Sequence, residues 1–549
     1  MEQTRNFAFM VLLITAIMLF FSWQSDLNEL EKSSYTDPKI DSSNLVVNSK
    51  TSSNTINIMT DVYDLDIDLV GGDVVKSSLL KYNKSTDDQT PFELLQNKSN
   101  FTYTLSSALL GVDGIDGKDK RPEYSANDKV FRLIGDNPLI VPLSYINEDV
   151  EVVKKFVFYP GRYDFDIVYD IKNKTDRELS VRSFGEIIQT IEPPKDTDQN
   201  LFIAGSYRGG IYSSEDTNYK KVTLDELAES KKITYITKTK GGWIGMIQHY
   251  FAVAYIGNKD EVNSIYNRGT GENPNNITEA SESRLSMYGE IQTIAPNGSL
   301  SISNKVWVGP KDQEKMDEIA PKLGRTLDYG WLWFISEFLM MILKFIYSFV
   351  HNWGFAIIII TILVRGCMYP LTKAQYTSMA KMKLIAPKLK EIRDRYQQDP
   401  ENYRKATMDL YKTEKVNPAA GCLPILIQMP IFIALYWALM ESTDLRQAPF
   451  VGWIKDLSVN DPYFILPLLY GITMFLVQKL SMSQNPTQMI NPMQQKIFMM
   501  MPVIFTLMFM MFPAGLTLYW TVSNIITIIQ MKLIYSHLEK RGLRTKVAK

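Results

Sequence analysis

Cysteine and histidine are nearly absent from this chain. Of 549 residues, two are cysteine and three are histidine. Cys367 and Cys422 lie in or beside apolar runs, and the polar region before residue 331 has no cysteine. That region folds without a disulfide framework, whatever its redox compartment. His249, His351 and His537 stand outside the apolar runs, and none has metal-ligand spacing to a carboxylate. Gly-x-Ser-x-Gly and phosphate-loop patterns are missing too. The sequence therefore argues against a hydrolase, a metalloenzyme and a nucleotide-driven motor, and no cofactor or metal is expected.

A mean hydropathy of -0.11 reads like a soluble protein, but the average hides a split. Residues 331–549 hold 23 Lys+Arg and 12 Asp+Glu, whereas residues 1–330 hold 36 and 48. An acidic first part and a basic, apolar second part point to two compartments.

The first apolar run, 7–23, has no small-residue cleavage site after it and ends on Trp23, so residues 1–23 are expected to be an uncleaved signal-anchor with a cytoplasmic N-terminus. Residues 24–56, rich in Ser, Asn, Asp and Thr, suggest a flexible linker. From 57 to about 325 the pattern alternates. Leu65, Ile67 and Leu69 share one face against Asp64, Asp66 and Asp68, and Phe165, Ile167, Tyr169 and Ile171 repeat the arrangement. Gly71-Gly72, Pro160-Gly161 and Pro296-Asn-Gly298 supply turns, so one large β-sandwich domain is expected. Asp64, Asp66 and Asp68 have the spacing of a calcium loop. However, Leu69 stands where that loop needs glycine and the closing Glu is missing, so a polar strand face is the better reading. Gly269-Thr-Gly271 is an isolated fragment without a following helix pattern.

Beyond Trp331 long apolar runs appear. One occupies 331–351 and carries Glu337 and Lys344; others end near Pro370 or fill about 421–440, 463–480, 497–512 and 515–535. The loop after the run ending at Pro370 (371–418) holds eleven Lys+Arg and six acids, and the tail 536–549 is also basic. Such segments stay in the cytoplasm. If 331–351 crossed the membrane, that loop would face outward. The segment 326–352 is therefore expected to lie along the outer interface as an amphipathic helix. The second span is 353–373, spans three to six fill 419–535, and the β-domain is outside. The fold class is a six-span α-helical membrane protein with an all-β outer domain.

The basic loop has structure of its own. Met382, Ile385, Leu389, Ile392 and Tyr396 recur at steps of three and four, Gln397-Gln-Asp-Pro400 turns the chain, and Met408 and Tyr411 continue on a second helix. A helical hairpin over 374–418 is expected, with Pro387 starting or kinking its first helix. Its charges suit anionic lipid headgroups or a ribosome surface.

One charge sits inside an apolar run. Arg365 ends Phe355-Ala-Ile-Ile-Ile-Ile-Thr-Ile-Leu-Val-Arg365, with Thr361 one helical turn before it. A guanidinium cannot neutralise itself. Estimates of its cost at a bilayer centre run from roughly 3 to well over 10 kcal/mol. The later runs offer no acid to pair with it. Snorkelling to the cytoplasmic headgroups and a hydrated cavity visited by an anion both satisfy it. Gln428, Thr517, Thr521, Ser523 and Asn524 are the other polar residues of the runs, and interhelical hydrogen bonding suffices for each. Methionines 499, 500, 501, 508, 510 and 511 crowd the fifth run; they suit either varied apolar partners or lipid.

The run Asn352–Lys383, Glu414-Lys-Val-Asn-Pro418, Gly421–Phe432, Asn491–Lys496 and Met501-Pro-Val-Ile-Phe505 together closely resemble the YidC membrane protein insertases over about 325–545. Gly71-Gly72-Asp73 and Lys305–Pro310 are weaker likenesses to the Gram-negative form with its large periplasmic domain. Asn491-Pro492 departs from the Asp-Pro common in the family. The resemblance implies an inner-membrane insertase and chaperone, not an enzyme. Its periplasmic supersandwich would be mutarotase-like, and a hydrophilic groove would open to cytoplasm and lipid. Arg365, Thr361, Gln428, Thr517, Thr521, Ser523 and Asn524 would line that groove. Pro424, Met429, Pro430 and Phe432, with Pro502, Phe505 and Met508, would form a hydrophobic slide for the client. The implied partners are nascent membrane proteins, the ribosome at hairpin and tail, the Sec translocon with its accessory proteins, and anionic lipids. A small-molecule transporter and a membrane-anchored carbohydrate-binding envelope protein are the rival readings. The first lacks internal repeats, and the second follows from fold alone.

Overall fold

Alternation puts apolar side chains on one face of each strand, and two such faces close on each other. The computed structural model describes residues 54–98, 101–117, 121–191, 207–229, 234–269, 281–414, 423–484 and 492–540. The expected signal-anchor, nearly all of the linker, the Glu414–Pro418 motif beyond its first residue and the tail after 540 lie outside these residues.

Among the described residues the outer domain is built from an 11-stranded and a 9-stranded sheet. The domain starts earlier than the sequence suggests, because strand Thr55–Met59 already pairs antiparallel with Tyr63–Asp68. Leu65, Ile67, Phe165, Ile167, Tyr169 and Ile171 are all buried, as the alternation requires. On the opposite face Asp64 and Asp66 both accept from the Asn57 amide and both lie 3.7 Å from Lys76. They form a polar strand face. No group of His, Cys, Asp and Glu suited to a metal occurs among the described residues.

A buried charge cluster joins the two sheets. Lys154 Nζ donates to the carbonyls of Gly71 (2.9 Å), Gly72 (2.8 Å) and Ser107 (3.1 Å), and rings of Tyr124, Phe156 and Tyr169 surround it. Arg121 lies between Asp73 and Asp116 alongside. Gly71 and Gly72 have φ of +85° and +68°, and a Cβ on Gly72 would come within 2.9 Å of Lys154 Nζ. The double glycine thus turns the chain and lets an ammonium reach its carbonyls.

The helical part begins with α1 (Leu224–Glu229) and α2 (Gln313–Ile319), both within the outer domain. Helix α3 (Trp333–Val350) buries Ser336, Leu339, Met340, Leu343 and Ile346. Its exposed side carries Phe334, Phe338, Met341, Phe345 and Phe349 beside Glu337 and Lys344. The helix is therefore aromatic, not polar, over much of its outward face. Helix α4 (Trp353–Cys367) is capped by Asn352, whose side chain accepts from Phe355 N. A 59° bend separates it from α5 (Tyr369–Arg395). Then follow α6 (Pro400–Thr413), α7 (Leu423–Glu441), α8 (Ile465–Gln484), α9 (Pro492–Phe509) and α10 (Ala514–Lys540). By length and hydropathy Gly330–Val350 is long enough to cross a membrane, and Trp353–Cys367 with Tyr369–Met382 qualifies as a bent pair. Ile465–Ser481 and Met499–Phe509 are shorter apolar helices.

Helices α5 and α6 make the expected hairpin, with Asp399 capping α6 and Lys388 paired to Glu414 at 2.6 Å. Ile385 is buried, and Met382, Leu389, Ile392 and Tyr396 are half-buried. Pro387 sits inside α5, so of the two expectations for it only a start of the helix is excluded. One detail differs from the sequence reading. Met408 is exposed, because α6 turns Tyr403, Ala406, Leu410 and Tyr411 to its sheltered side.

Lys154→Met should destabilise the outer domain by about 3–5 kcal/mol, since three carbonyls and a net negative cluster would be left buried. Urea-dependent proteolysis of the full chain in detergent measures this. A midpoint equal to wild type would contradict the role assigned to Lys154.

Candidate functional site

Arg365 sits in the last turn of α4, three residues before the bend at Met368. Tyr519, Ser523 and Gln530 of α10 are spaced by four and seven, so they share one helical face. That face meets Arg365. Nε of Arg365 donates to Ser523 Oγ at 2.8 Å, and Nη2 reaches the same hydroxyl. Gln530 Nε2 donates to the carbonyl of Arg365 at 3.1 Å, which satisfies an oxygen freed at the helix end. Among the described residues the ionisable groups acting on the guanidinium are the phenols of Tyr519 and Tyr376.

A second polar contact lies one turn along α10, where Gln428 Nε2 of α7 donates to Tyr519 OH at 3.0 Å. Oε1 of Gln428 and Oε1 of Gln530 are buried without a protein partner. Asn524 points to α8 instead, donating to Thr473 Oγ1 at 3.3 Å.

The structure therefore brings Arg365, Ser523 and Gln428 into one polar seam and sorts the remaining expected residues elsewhere. Thr361, Thr517 and Thr521 are buried, and their hydroxyls donate back to carbonyls of their own helices. This back-bonding is the usual fate of a threonine packed inside a helix bundle. Tyr519 and Gln530 were not anticipated, although their spacing from Ser523 was legible. Glu441 is in the last turn of α7. It is paired with Lys311 at 2.9 Å and so is not available to Arg365.

Of the expected slide, Met429 and Met508 are exposed. Pro430, Phe432 and Phe505 are half-buried, and Phe432 meets Trp520 edge-on at 4.6 Å. Pro502 is buried and does not face outward. Nearby, α9 is drawn against α8, with Thr506 so close to Gly471 that a Cβ there would lie 2.1 Å from its hydroxyl. The outward face of α9 is Met499, Met500, Val503, Ile504, Leu507 and Met508, and Met511 is exposed just beyond its end. Pro424 falls in α7, but its side chain lies outside the described residues.

Two family models match the chain: the 60Kd inner membrane protein over residues 345–541, and the YidC periplasmic domain over residues 55–342. Curated relatives match along its whole length. A membrane protein insertase YidC of Actinobacillus pleuropneumoniae serotype 7 is 43% identical over 561 residues, 100% of either chain. The one of Tolumonas auensis is 42% identical over 555 residues, again 100% of either chain. A solved structure described as an active YidC insertase with its first transmembrane domain resolved matches with a TM-score of 0.36 and 18% identity. It covers 89% of this chain and 94% of the other.

Ser523→Ala removes the hydroxyl that receives both guanidinium contacts, at an expected cost of about 1.5–3 kcal/mol. The melting temperature of the helical core in detergent, followed by tryptophan fluorescence, should fall by several degrees. Ser523→Thr should restore it. Melting of the Ala variant at the wild-type temperature would show that the hydroxyl does not hold Arg365.

Proposed function

The chain belongs to the YidC family of membrane protein insertases, inner-membrane proteins with a periplasmic domain, and from that premise we propose how its own residues handle a client. It is an insertase and not an enzyme, so the work is transfer of a segment between phases, without covalent chemistry.

In this reading six spans cross the membrane: the first apolar run and α4, α7, α8, α9 and α10. Helix α3 lies along the outer interface, and both termini are cytoplasmic. The contacts of the loop after α7 support that arrangement. Arg446 Nη2 donates to Asn83 O of the outer domain at 2.6 Å, and Asn352 at the start of α4 donates to Phe450 O at 3.1 Å. Both helix ends thus belong to the side of the β-domain, and the basic hairpin at the far end of α4 belongs to the other.

A client segment enters from the cytoplasm. Its short acidic end meets Arg365 beside Ser523, while Gln428 and Tyr519 offer further polar contact. A carboxylate about 4 Å from the guanidinium gains about 4 kcal/mol at an effective dielectric near 20, before desolvation. The apolar part then slides past Met429, Pro430 and Phe432 of α7 and Phe505 and Met508 of α9 into lipid, driven by apolar burial. Pro424 and Pro502 shape these helices, and the buried Thr361, Thr517, Thr521 and the α8-bound Asn524 hold the seam together. The hairpin and basic tail receive the ribosome and anionic lipid, and the Sec translocon and its accessory proteins are further partners. The observation that carries the reading is a guanidinium on an apolar helix whose side-chain partner, among the described residues, is a single hydroxyl.

Liposomes containing purified protein and a small client test it. Arg365→Ala should reduce insertion of an acidic-tailed client about tenfold, the equivalent of about 1.4 kcal/mol. A client with a neutral tail should be much less affected. Equal losses for both clients would sink the ion-pair role.

A further inference from the structure

Helix α7 ends in a polar joint with the outer domain. Its last residue, Glu441, is paired with Lys311 at 2.9 Å, and both side chains are almost completely buried, at 6% and 2% exposure. Lys311 directly follows strand Ser299–Pro310, and its backbone N–H donates to Tyr250 O at 2.9 Å. That fixes it against the turn carrying His249. Nε2 of His249 donates to the carbonyl of Met440 at 2.8 Å, and Nδ1 is buried without a partner. Immediately beyond the helix, Arg446 donates to Asn83 O and Lys84 O, and its guanidinium lies over Phe92 and Phe251. Gln447 adds a contact to Asn83 O at 2.9 Å. On its membrane side α7 is held by α3, where Ser336 Oγ donates to Ala434 O at 2.8 Å.

Helix α9 is held quite differently. It leans on α8 through Thr506 at Gly471 and Phe509 at Tyr470, and presents an open face of methionine and aliphatic side chains. The two walls of the client path are therefore unequal.

A buried ion pair is weak support for stability, because desolvation cancels most of its attraction. Its better-attested use is to fix one geometry. We propose that Lys311, Glu441 and His249 are positioning residues that pin the outer end of α7 to the β-domain, making α7 the fixed wall past which the client slides. The proposal rests on the client path described above. It gives the outer domain a part in insertion although it lies away from Arg365.

The joint is also sensitive to acid. Burial lowers the pKa of His249 to about 4, with Lys311 and Arg446 acting in the same direction and Glu441 against them. Tyr250 packs on its ring at 3.8 Å. A folded pKa below the ordinary value means that the neutral ring contributes stability above about 6.5, which is lost as pH falls towards 4.

The test uses the full chain in lipid nanodiscs for hydrogen exchange and in liposomes for client insertion. Lys311→Met and Glu441→Gln each leave one buried charge unpaired. Each should speed amide exchange in the last turn of α7 and through Arg446 about a hundredfold, and each should reduce insertion. The double variant carries neither charge of the pair, so it should fold but keep the faster exchange and the reduced insertion, because the contact that pins α7 is gone. A single variant that fails to fold thus leaves the double to decide. With the slower intrinsic exchange at acid pH divided out, acidification from pH 6.5 towards 4 should lower the protection of the same amides in wild type and much less in His249→Gln. Unchanged exchange in the single variants would overturn the pinning. Faster exchange with unchanged insertion would overturn the positioning role. Wild-type protein that fails to insert the client would overturn the client path itself, whereas the exchange pattern would still report on the joint.

Discussion

A guanidinium stays charged wherever it is placed, and hydrocarbon offers it nothing to donate to. Arg365 imposes that constraint on the whole helical core. Helix α10 meets it with a face bearing Ser523 and Gln530, one bonded to the side chain and the other to the backbone carbonyl. The magnitudes show what this leaves undone. A hydrogen bond from a charged group contributes about 1.5–3 kcal/mol, whereas Arg at a bilayer centre costs roughly 3 to more than 10 kcal/mol. Ser523 alone cannot offset the larger figure. Placement near the bend, close to the cytoplasmic side in the proposed topology, supplies part of the difference, and a polar seam supplies more.

The other buried charges contrast with it. Lys154 has three carbonyls, Arg121 has two aspartates, and Lys311 has Glu441. Each of these charges meets an opposite charge or backbone acceptors inside the protein. Buried charges closed in this way organise a fold, and one left open invites a partner from outside. Arg365 is of the second kind among the described residues, and the proposed client path uses it for a carboxylate that would have no place beside Lys154.

Local pattern carried most of the architecture. Alternation gave the buried set Leu65, Ile67, Phe165 and Ile167, and steps of three and four gave the sheltered side of α5. Position-specific roles were less legible. A threonine in an apolar run reads as polar lining, yet Thr361, Thr517 and Thr521 bond their own backbone, a choice set by packing. Met408 followed the expected period, but a small difference in helix phase turned it outward. Pairings across long stretches of chain were invisible. Nothing near Glu441 in the sequence announces Lys311, and nothing near Lys154 announces the carbonyls of Gly71 and Gly72. Only the partners of Arg365 had a local signal, the spacing of Tyr519, Ser523 and Gln530, and the apolar residues around them obscured it.

The open state of Arg365 also has an energetic logic. Burying about 1,000 Å² of apolar client surface in lipid is worth about 25 kcal/mol. The overall transfer is therefore downhill, and the difficulty lies in carrying the polar end part-way across. An insertase needs to lower that barrier without trapping its client. An attraction of about 4 kcal/mol before desolvation is of the right order: large enough to hold a carboxylate briefly, small beside the burial that follows. A built-in acid on a neighbouring helix would cancel the charge, and a second arginine would bind the tail too long. In the proposed path a single guanidinium held by one hydroxyl does neither, and it would free the client once the apolar segment has moved past Met429 and Met508.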